Sequence, residues 1–396
     1  KAIFYIMRAI FLISLFSAIF SIISNNIFIF LAFETALFVP FLLRHSRVVR
    51  KSDTDLADYP FVSIIVPMRN EKNNAVECVR SLVSLDYPNF EVIIGDDSST
   101  DDTKKLLMEE INKNPIAFPI KLFDVSQVPN GWTGRTWATY QLIKKAKGEL
   151  MLITDADVRH SPKSLKSSIS HFLETKADIM VRFLSPIIKG AGEWPILFLI
   201  FILKFSSWFS LRLLGRRQAI ARGEYLIFSK HCYERLGGYR AFKNNHPITP
   251  AIFNSAFKKG MNVVIVDDDS KEIETRMYEG FMETAKGIVG RTNFHSFGVY
   301  SFLGAFLPIF FAIDYIFKII SGVSANDNSL IWGGLVSYSF FVLFFAAYLA
   351  VSRQPFYVAV FAPFLAFYFM LIGLLSIIRS AFNRPLRWKG RVYQIK

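Results

Sequence analysis

Long apolar stretches bracket a polar middle, and this arrangement most limits what the chain can fold into. Residues 10–43 are mostly apolar, interrupted mainly by Asn25, Asn26 and Glu34. Three more apolar stretches lie at about 298–319, 331–351 and 356–378. Runs of this length match the hydrocarbon thickness of a bilayer. The first reads as two short spans or a helical hairpin rather than a cleavable leader, because it is too long and no small-residue cleavage site follows. Arg44, Arg47, Arg50 and Lys51 come next, a basic stop that places the following residues in the cytoplasm by the positive-inside rule. The expected organisation is membrane helices and stop at 1–51, a polar domain at 52–297, membrane helices at 298–378 and a basic tail at 379–396.

The charge pattern of the C-terminal part is in conflict with three full spans. Residues 321–330 hold no Lys or Arg and suit the outside, while 352–355 carry Arg353 and suit the inside. Three spans then leave outside a tail that holds six Lys or Arg. The stretch 298–319, with Asp314 inside it, is therefore expected to be re-entrant or interfacial. A further apolar run at 196–203 is too short to span. With Lys204, Trp208, Arg212, Arg216 and Arg217 it predicts a helix at 194–217 lying in the membrane interface, with a buried core helix as the alternative.

Composition agrees with a mixed protein. The 396 residues are 52% hydrophobic, too apolar for an ordinary soluble enzyme, yet 20% are charged, too many for a bare helical bundle. A formal charge of +14 suits an anionic leaflet and anionic nucleotides. Nucleic-acid binding is the poorer reading, because the basic residues flank the membrane stretches. Cys78 and Cys232 lie far apart, form no metal or redox spacing, and read as free thiols in a reducing compartment.

Between about 59 and 269 the period changes. β-rich runs at 61–66, 90–95 and 150–154 alternate with helical stretches at 73–85, 100–112 and 136–147. This predicts an α/β domain with a mostly parallel sheet that binds ligands beyond the strand C-termini. Polar residues gather at those ends: Pro67-Met-Arg-Asn-Glu71, Asp96-Asp97-Ser-Ser-Thr-Asp101 and Asp155-Ala-Asp157. Residues at i and i+2 of an extended segment share a face. Asp155 and Asp157 thus put two like charges together, a costly arrangement unless a cation lies between them. A divalent metal holding a diphosphate suits such a pair, and a solvated Asp-rich turn is the bland alternative. Neither G-x-G-x-x-G nor G-x-x-x-x-G-K-[ST] is present.

In this order the three clusters resemble the nucleotide-sugar half of a family 2 glycosyltransferase with the GT-A fold. The resemblance implies a Rossmann-like cytoplasmic domain flanked by N- and C-terminal transmembrane helices. It gives Pro67, Glu71, Asp96 and Asp97 to the nucleotide, with Asp96 and Asp97 on the base. It gives Asp155 to the nucleotide and metal, and makes Asp157 the leading ligand of a Mn or Mg ion. Residues 98–101 also read as an N-cap for the next helix, a role that can coexist.

Gly131-Trp-Thr-Gly-Arg135-Thr-Trp-Ala138 is similar to the G-W-x-G-K-x-W-A segment of membrane glycosyltransferases associated with hopanoids and carotenoids. Arg135 replaces the usual Lys, and a helix beginning near Gly134 would aim backbone N–H groups at an anion. Arg276-Met-Tyr278 and Arg387-Trp-Lys-Gly-Arg391 match further segments of that subgroup.

One expected group is missing. Inverting transfer to a hydroxyl needs a base, and the family's Asp belongs between Gly237-Gly-Tyr239 and Gly260. Ile248 and Thr249 stand there, and residues 240–260 hold no carboxylate. His246 and Glu224 are the candidates, and an acceptor needing little deprotonation is the third possibility. The sequence thus predicts a metal-dependent, inverting enzyme at the cytoplasmic membrane face. It would move a sugar from a nucleoside-diphosphate sugar, with UDP as nucleotide, to a lipid or isoprenoid-type acceptor, with Arg276 assisting departure. The alternatives are a processive polysaccharide synthase, whose Q-x-x-R-W motif is absent here, and a non-catalytic nucleotide-sugar-binding scaffold.

Overall fold

The computed structural model describes residues 35–36, 38–43, 58–113, 120–214, 223–243, 245, 248–267, 271–291, 299–381 and 386–393. The chain divides into two compact units. One comprises Val48–Lys189 and Ser210–Met277, the other Lys1–Arg47, Gly190–Phe209 and Tyr278–Lys396.

The first unit is built on strands and helices in alternation: β1 (Val62–Met68), α1 (Ala75–Val83), β2 (Phe90–Asp96), α2 (Thr103–Lys113), β3 (Ile120–Asp124), α3 (Gly134–Ile143) and β4 (Leu150–Thr154). Next come β5 (Val158–His160), α4 (Ser164–Glu174), β6 (Ile179–Phe183), β7 (Ser185–Pro186), β8 (Tyr225–Ser229), β9 (Val263–Asp267) and β10 (Ile273–Thr275). Seven strands form one sheet in the order β3-β2-β1-β4-β8-β6-β9. The pairs β1–β2, β1–β4, β2–β3 and β6–β9 are parallel; β8 runs antiparallel to β4 and β6.

Side-chain alternation splits the core into two layers. Ile64, Val92 and Leu152 pack on one face of the sheet, and Ile65, Ile93 and Ile153 pack on the other. A sheet covered on both faces needs such continuous apolar runs, which is why β1 and β2 read so hydrophobic. The chain winds outward from β1 to β3 and then returns to place β4 on the other side of β1. That reversal opens a crevice beyond the C-terminal ends of β1 and β4, where ligands of such sheets bind. A small sheet, β5-β10-β7, adjoins it in sequence.

The second unit is helical. Among the described residues, four helical stretches are long and apolar enough to cross a membrane: Ala191–Phe209, Phe306–Ala325, Asn328–Val351 and Phe356–Ser376. Trp332, Leu343, Phe364 and Leu371 point outward and exposed, as lipid-facing residues would.

Two expectations bear on these helices. The helix expected at 194–217 spans Trp194–Leu214, 21 residues. Through residue 208 its side chains are largely buried within the unit, in keeping with the buried-helix alternative. Phe198, Phe201 and Phe205 are fully buried, Phe201 lies 5.0 Å from Phe345, and Phe205 lies 5.1 Å from Phe38. The stretch expected to be re-entrant or interfacial, 298–319, falls in one helix, Val299–Ala325, which does not double back. Asp314 pairs with Lys318 at 2.6 Å, and Lys318 donates to Ser337 Oγ at 3.1 Å. Pairing lowers the cost of Asp314 in an apolar setting.

By compactness, the described residues 190–209 and 278–291 group with the helices. Of the N-terminal stretch only 35–36 and 38–43 are described, as helix.

Candidate active site

The first two clusters are laced together. Arg69 Nη1 donates to the carbonyls of Asp97 (2.5 Å) and Ser98 (2.6 Å). Asp97 N donates to Met68 O at 2.8 Å, Glu71 N to Thr103 Oγ1 at 2.7 Å, and Thr100 N to Asn70 Oδ1 at 2.8 Å. Asn70 and Ser98 both take left-handed backbone (φ 50° and 53°), so each strand turns sharply at its end. Asp101 accepts from Thr103 N at 3.0 Å and so caps α2, as expected for this run. Burial works against its charge, but hydrogen bonds from Thr103 and Lys72 hold its pKa below the usual carboxylate value.

Asp96 and Asp97 are 5% and 3% exposed. Asp96 Oδ2 accepts from Ser99 N at 3.2 Å, while its buried Oδ1 has no partner among the described residues. A buried acceptor of this kind is completed by a donor, whether water, ion or ligand. Pro67 lies inside β1, in register with Gly95, and presents only its ring and carbonyl.

The turn after β4 carries the third cluster. Thr133 caps α3, accepting from Thr136 N at 3.3 Å. The helix then carries Arg135 to Asp155. Arg135 Nε and Nη2 reach Asp155 Oδ1 at 2.9 and 2.6 Å, and Nη2 also donates to Gly223 O at 2.7 Å. Burial opposes the charge of Arg135, but Asp155, Tyr239 and Glu224 hold its pKa above the ordinary value. Asp157 is half-buried, and its carbonyl accepts from Arg276 N at 3.0 Å. Arg276 is thereby brought to the site.

Asp155 N donates to Glu224 O at 3.2 Å, which puts Glu224 beside the cluster. A Cβ on Gly223 would lie 2.5 Å from Thr249 Oγ1 and 3.7 Å from Arg135 Nη1. Thr249, at the position of the missing Asp, therefore borders the Arg135–Asp155 pair. His246 lies outside the described residues.

Sequence reasoning missed two residues. Arg159 Nη1 donates to the carbonyls of Ala156 and Val158, both at 3.1 Å, and Nη2 donates to Asn74 Oδ1 at 3.0 Å. Asn74 Nδ2 in turn donates to Glu71 Oε2 at 3.1 Å. The available signal was a cation two residues after Asp157. Behind the turn, Thr154 Oγ1 and buried His160 Nε2 lie 3.3 Å apart.

Among the described residues no three His, Cys, Asp or Glu side chains are grouped so as to hold a metal ion. Arg135 takes Oδ1 of Asp155, and the carboxylates of Asp155 and Asp157 are the hard oxygen donors of this turn. A metal here fits only if diphosphate oxygens complete its coordination.

The family model for glycosyl transferase family 2 matches residues 63–229, the span from β1 through β8. Residues 63–229 are a family 2 glycosyltransferase domain. Its three strand-end clusters are those joined by the hydrogen bonds above. The chain is 33% identical over 122 residues to beta-monoglucosyldiacylglycerol synthase of Nostoc sp., covering 30% of this chain and 24% of the relative. It is 25% identical over 251 residues to 4,4'-diaponeurosporenoate glycosyltransferase of Staphylococcus aureus, covering 62% and 64%. The chain thus spans about a quarter of the first relative and just under two thirds of the second. Among solved structures it is similar to mannosyltransferase PcManGT of Pyrobaculum calidifontis in complex with GDP-Man and Mn2+. That match has a TM-score of 0.45 at 16% identity and covers 89% and 98% of the two chains.

Proposed function

We propose that this chain is a membrane-embedded, inverting glycosyltransferase that moves a sugar from a nucleoside-diphosphate sugar to a lipid or isoprenoid-type acceptor. The observation that carries the reading is the convergence of the three acidic clusters at the reversal between β1 and β4, beside Arg135. The names of the two relatives, one a diacylglycerol-lipid synthase and one a diaponeurosporenoate glycosyltransferase, support an apolar acceptor. The four apolar helical stretches support work at a membrane. The cytoplasmic face follows from the basic residues at 44–51.

In this mechanism the base of the nucleotide occupies the pocket of Asp96 and Asp97, with UDP as the nucleotide. The unsatisfied Asp96 Oδ1 accepts the imide N–H that uracil offers. The diphosphate lies over the Asp155–Asp157 turn, where Arg135 and Arg276 supply positive charge as the glycosidic bond breaks. A divalent metal held by Asp157 would neutralise the departing diphosphate. Glu224 takes the acceptor proton, being the carboxylate whose main chain binds Asp155.

A panel of labelled UDP- and GDP-sugars, given to the purified chain with lipid extract, tests this reading. Label in a single lipid product supports it. A long polymer would favour the processive synthase, and nucleotide binding without turnover of any donor would favour a scaffold.

A further inference from the structure

The geometry points to Arg159 as a positioning residue that locks the distance between the nucleoside end and the diphosphate end of the site. It touches neither end itself. Its guanidinium spans two carbonyls of the turn that carries Asp157, those of Ala156 and Val158, and on its other side holds Asn74 Oδ1. Asn74 passes the contact on to Glu71 Oε2 in the cluster after β1. A chain of hydrogen bonds, Glu71–Asn74–Arg159–Ala156, thus bridges clusters that lie 85 residues apart in sequence. The planar fork of Arg159 divides these acceptors between two nitrogens held at a fixed spacing; the ammonium of Lys also has three donors but gathers them at one point on a flexible stem.

Two other contacts pin the same turn. Arg276 N holds the carbonyl of Asp157, and Thr154 meets His160 across the turn's base. Those contacts fix the turn to β10 and to itself. Arg159 alone among them fixes it to the β1 cluster. A site that must bind base and diphosphate at once gains affinity when their spacing is set in advance. Rigid placement of Asp157 matters most for the metal, whose binding tolerates little displacement of its ligand.

This inference rests on the nucleotide-sugar reading above, and its test separates the two. Calorimetric titration of UDP in Mn2+ into the full-length chain in detergent is compared for wild type, Asn74→Ala, Arg159→Lys and the double variant. Melting temperature and half-saturating Mn2+ are measured alongside. Loss of charge-assisted bonds of this kind corresponds to a weakening of about tenfold or more in UDP affinity. Arg159→Lys should show that loss with a higher Mn2+ requirement. Asn74→Ala, which cuts the tie but leaves the turn's own bonds intact, should show a similar loss at nearly unchanged melting temperature. The double variant should be little worse than either single one.

Unchanged UDP affinity in Asn74→Ala, or losses that multiply in the double variant, would overturn the positioning role. A lower melting temperature with unaltered UDP and Mn2+ parameters would do the same, leaving Arg159 as a purely structural residue. A wild-type chain that binds neither UDP nor GDP would instead refute the donor reading, and the inference would fall with it.

Discussion

Arg135 grips one oxygen of Asp155 with two nitrogens, Nε at 2.9 Å and Nη2 at 2.6 Å. About a third of each side chain remains exposed, so the pair is accessible to a ligand rather than sealed. The sequence assigned Asp155 jointly to nucleotide and metal. Both bonds from Arg135 fall on Oδ1, so the pairing adds a guanidinium to that cluster while Oδ2 keeps its own acceptor capacity. Under the proposed function, Asp155 would orient Arg135 toward the diphosphate and Asp157 would be the leading metal ligand.

Substituting Arg135 separates charge from shape. Lysine keeps the charge but cannot hold Asp155 and Gly223 O together. Arg135→Lys should lower kcat/KM for the donor about tenfold, and Arg135→Ala by about a hundredfold or more, on the scale of removed charge-assisted bonds. Steady-state kinetics on the donor checks this. Equal activity in Arg135→Lys and wild type would show that the fork geometry is irrelevant.

Glu224→Gln tests the base. The change removes the proton acceptor while keeping size and hydrogen-bonding capacity. Turnover should fall by about 10²–10⁴, with donor affinity little altered. Full activity in this variant would move the base elsewhere, with His246→Ala the next substitution to measure.

Gly148→Ala should destabilise the sheet domain. A Cβ there would lie 2.5 Å from Ser63 N and 2.8 Å from the carbonyls of Phe61 and Leu150, all backbone atoms that cannot swing aside. The same glycine donates to Ser63 Oγ at 2.8 Å. A cost of about 1–3 kcal/mol is expected, as for overpacking. Thermal unfolding followed by circular dichroism would report it as a lower melting temperature.

His160 makes stability depend on pH. Burial, reinforced by Arg159 and Arg182, pushes its pKa from 6.5 down to about 3. Between those values the unfolded chain binds a proton that the folded chain does not. The stabilisation is fully present above pH 6.5 and is lost progressively as pH falls toward 3. The slope contributed approaches about 1.4 kcal/mol per pH unit. Unfolding measured from pH 7 to 4 should therefore show a shallower loss in His160→Gln than in wild type. Parallel profiles would contradict the buried neutral histidine.

The parallel strands and the three acidic clusters were legible in the sequence because each strand ends where its polar residues begin. Asp96, Asp97, Asp155 and Asp157 follow directly from that punctuation. Arg159 and Asn74 were not legible, since their meaning lies in a contact between distant segments that no local pattern encodes. For the helix Trp194–Leu214 the sequence favoured an interfacial position over a buried one for a related reason. Its Lys204 and Ser206 interrupt the apolar run, yet both are buried, because tertiary packing rather than hydropathy decides what an interior helix tolerates. Asp314 repeats that lesson, its charge being offset one turn away by Lys318.

The central claim is that the Asp157 turn handles a nucleotide-sugar donor for transfer to a membrane lipid. Native membranes carrying wild type or Asp157→Ala, incubated with labelled nucleotide sugars and Mn2+ and then extracted for lipid, test it most directly. Wild type should yield a labelled lipid, and Asp157→Ala should reduce labelling at least about a hundredfold. Near-wild-type lipid labelling by Asp157→Ala, or none with any donor in wild type, would contradict it.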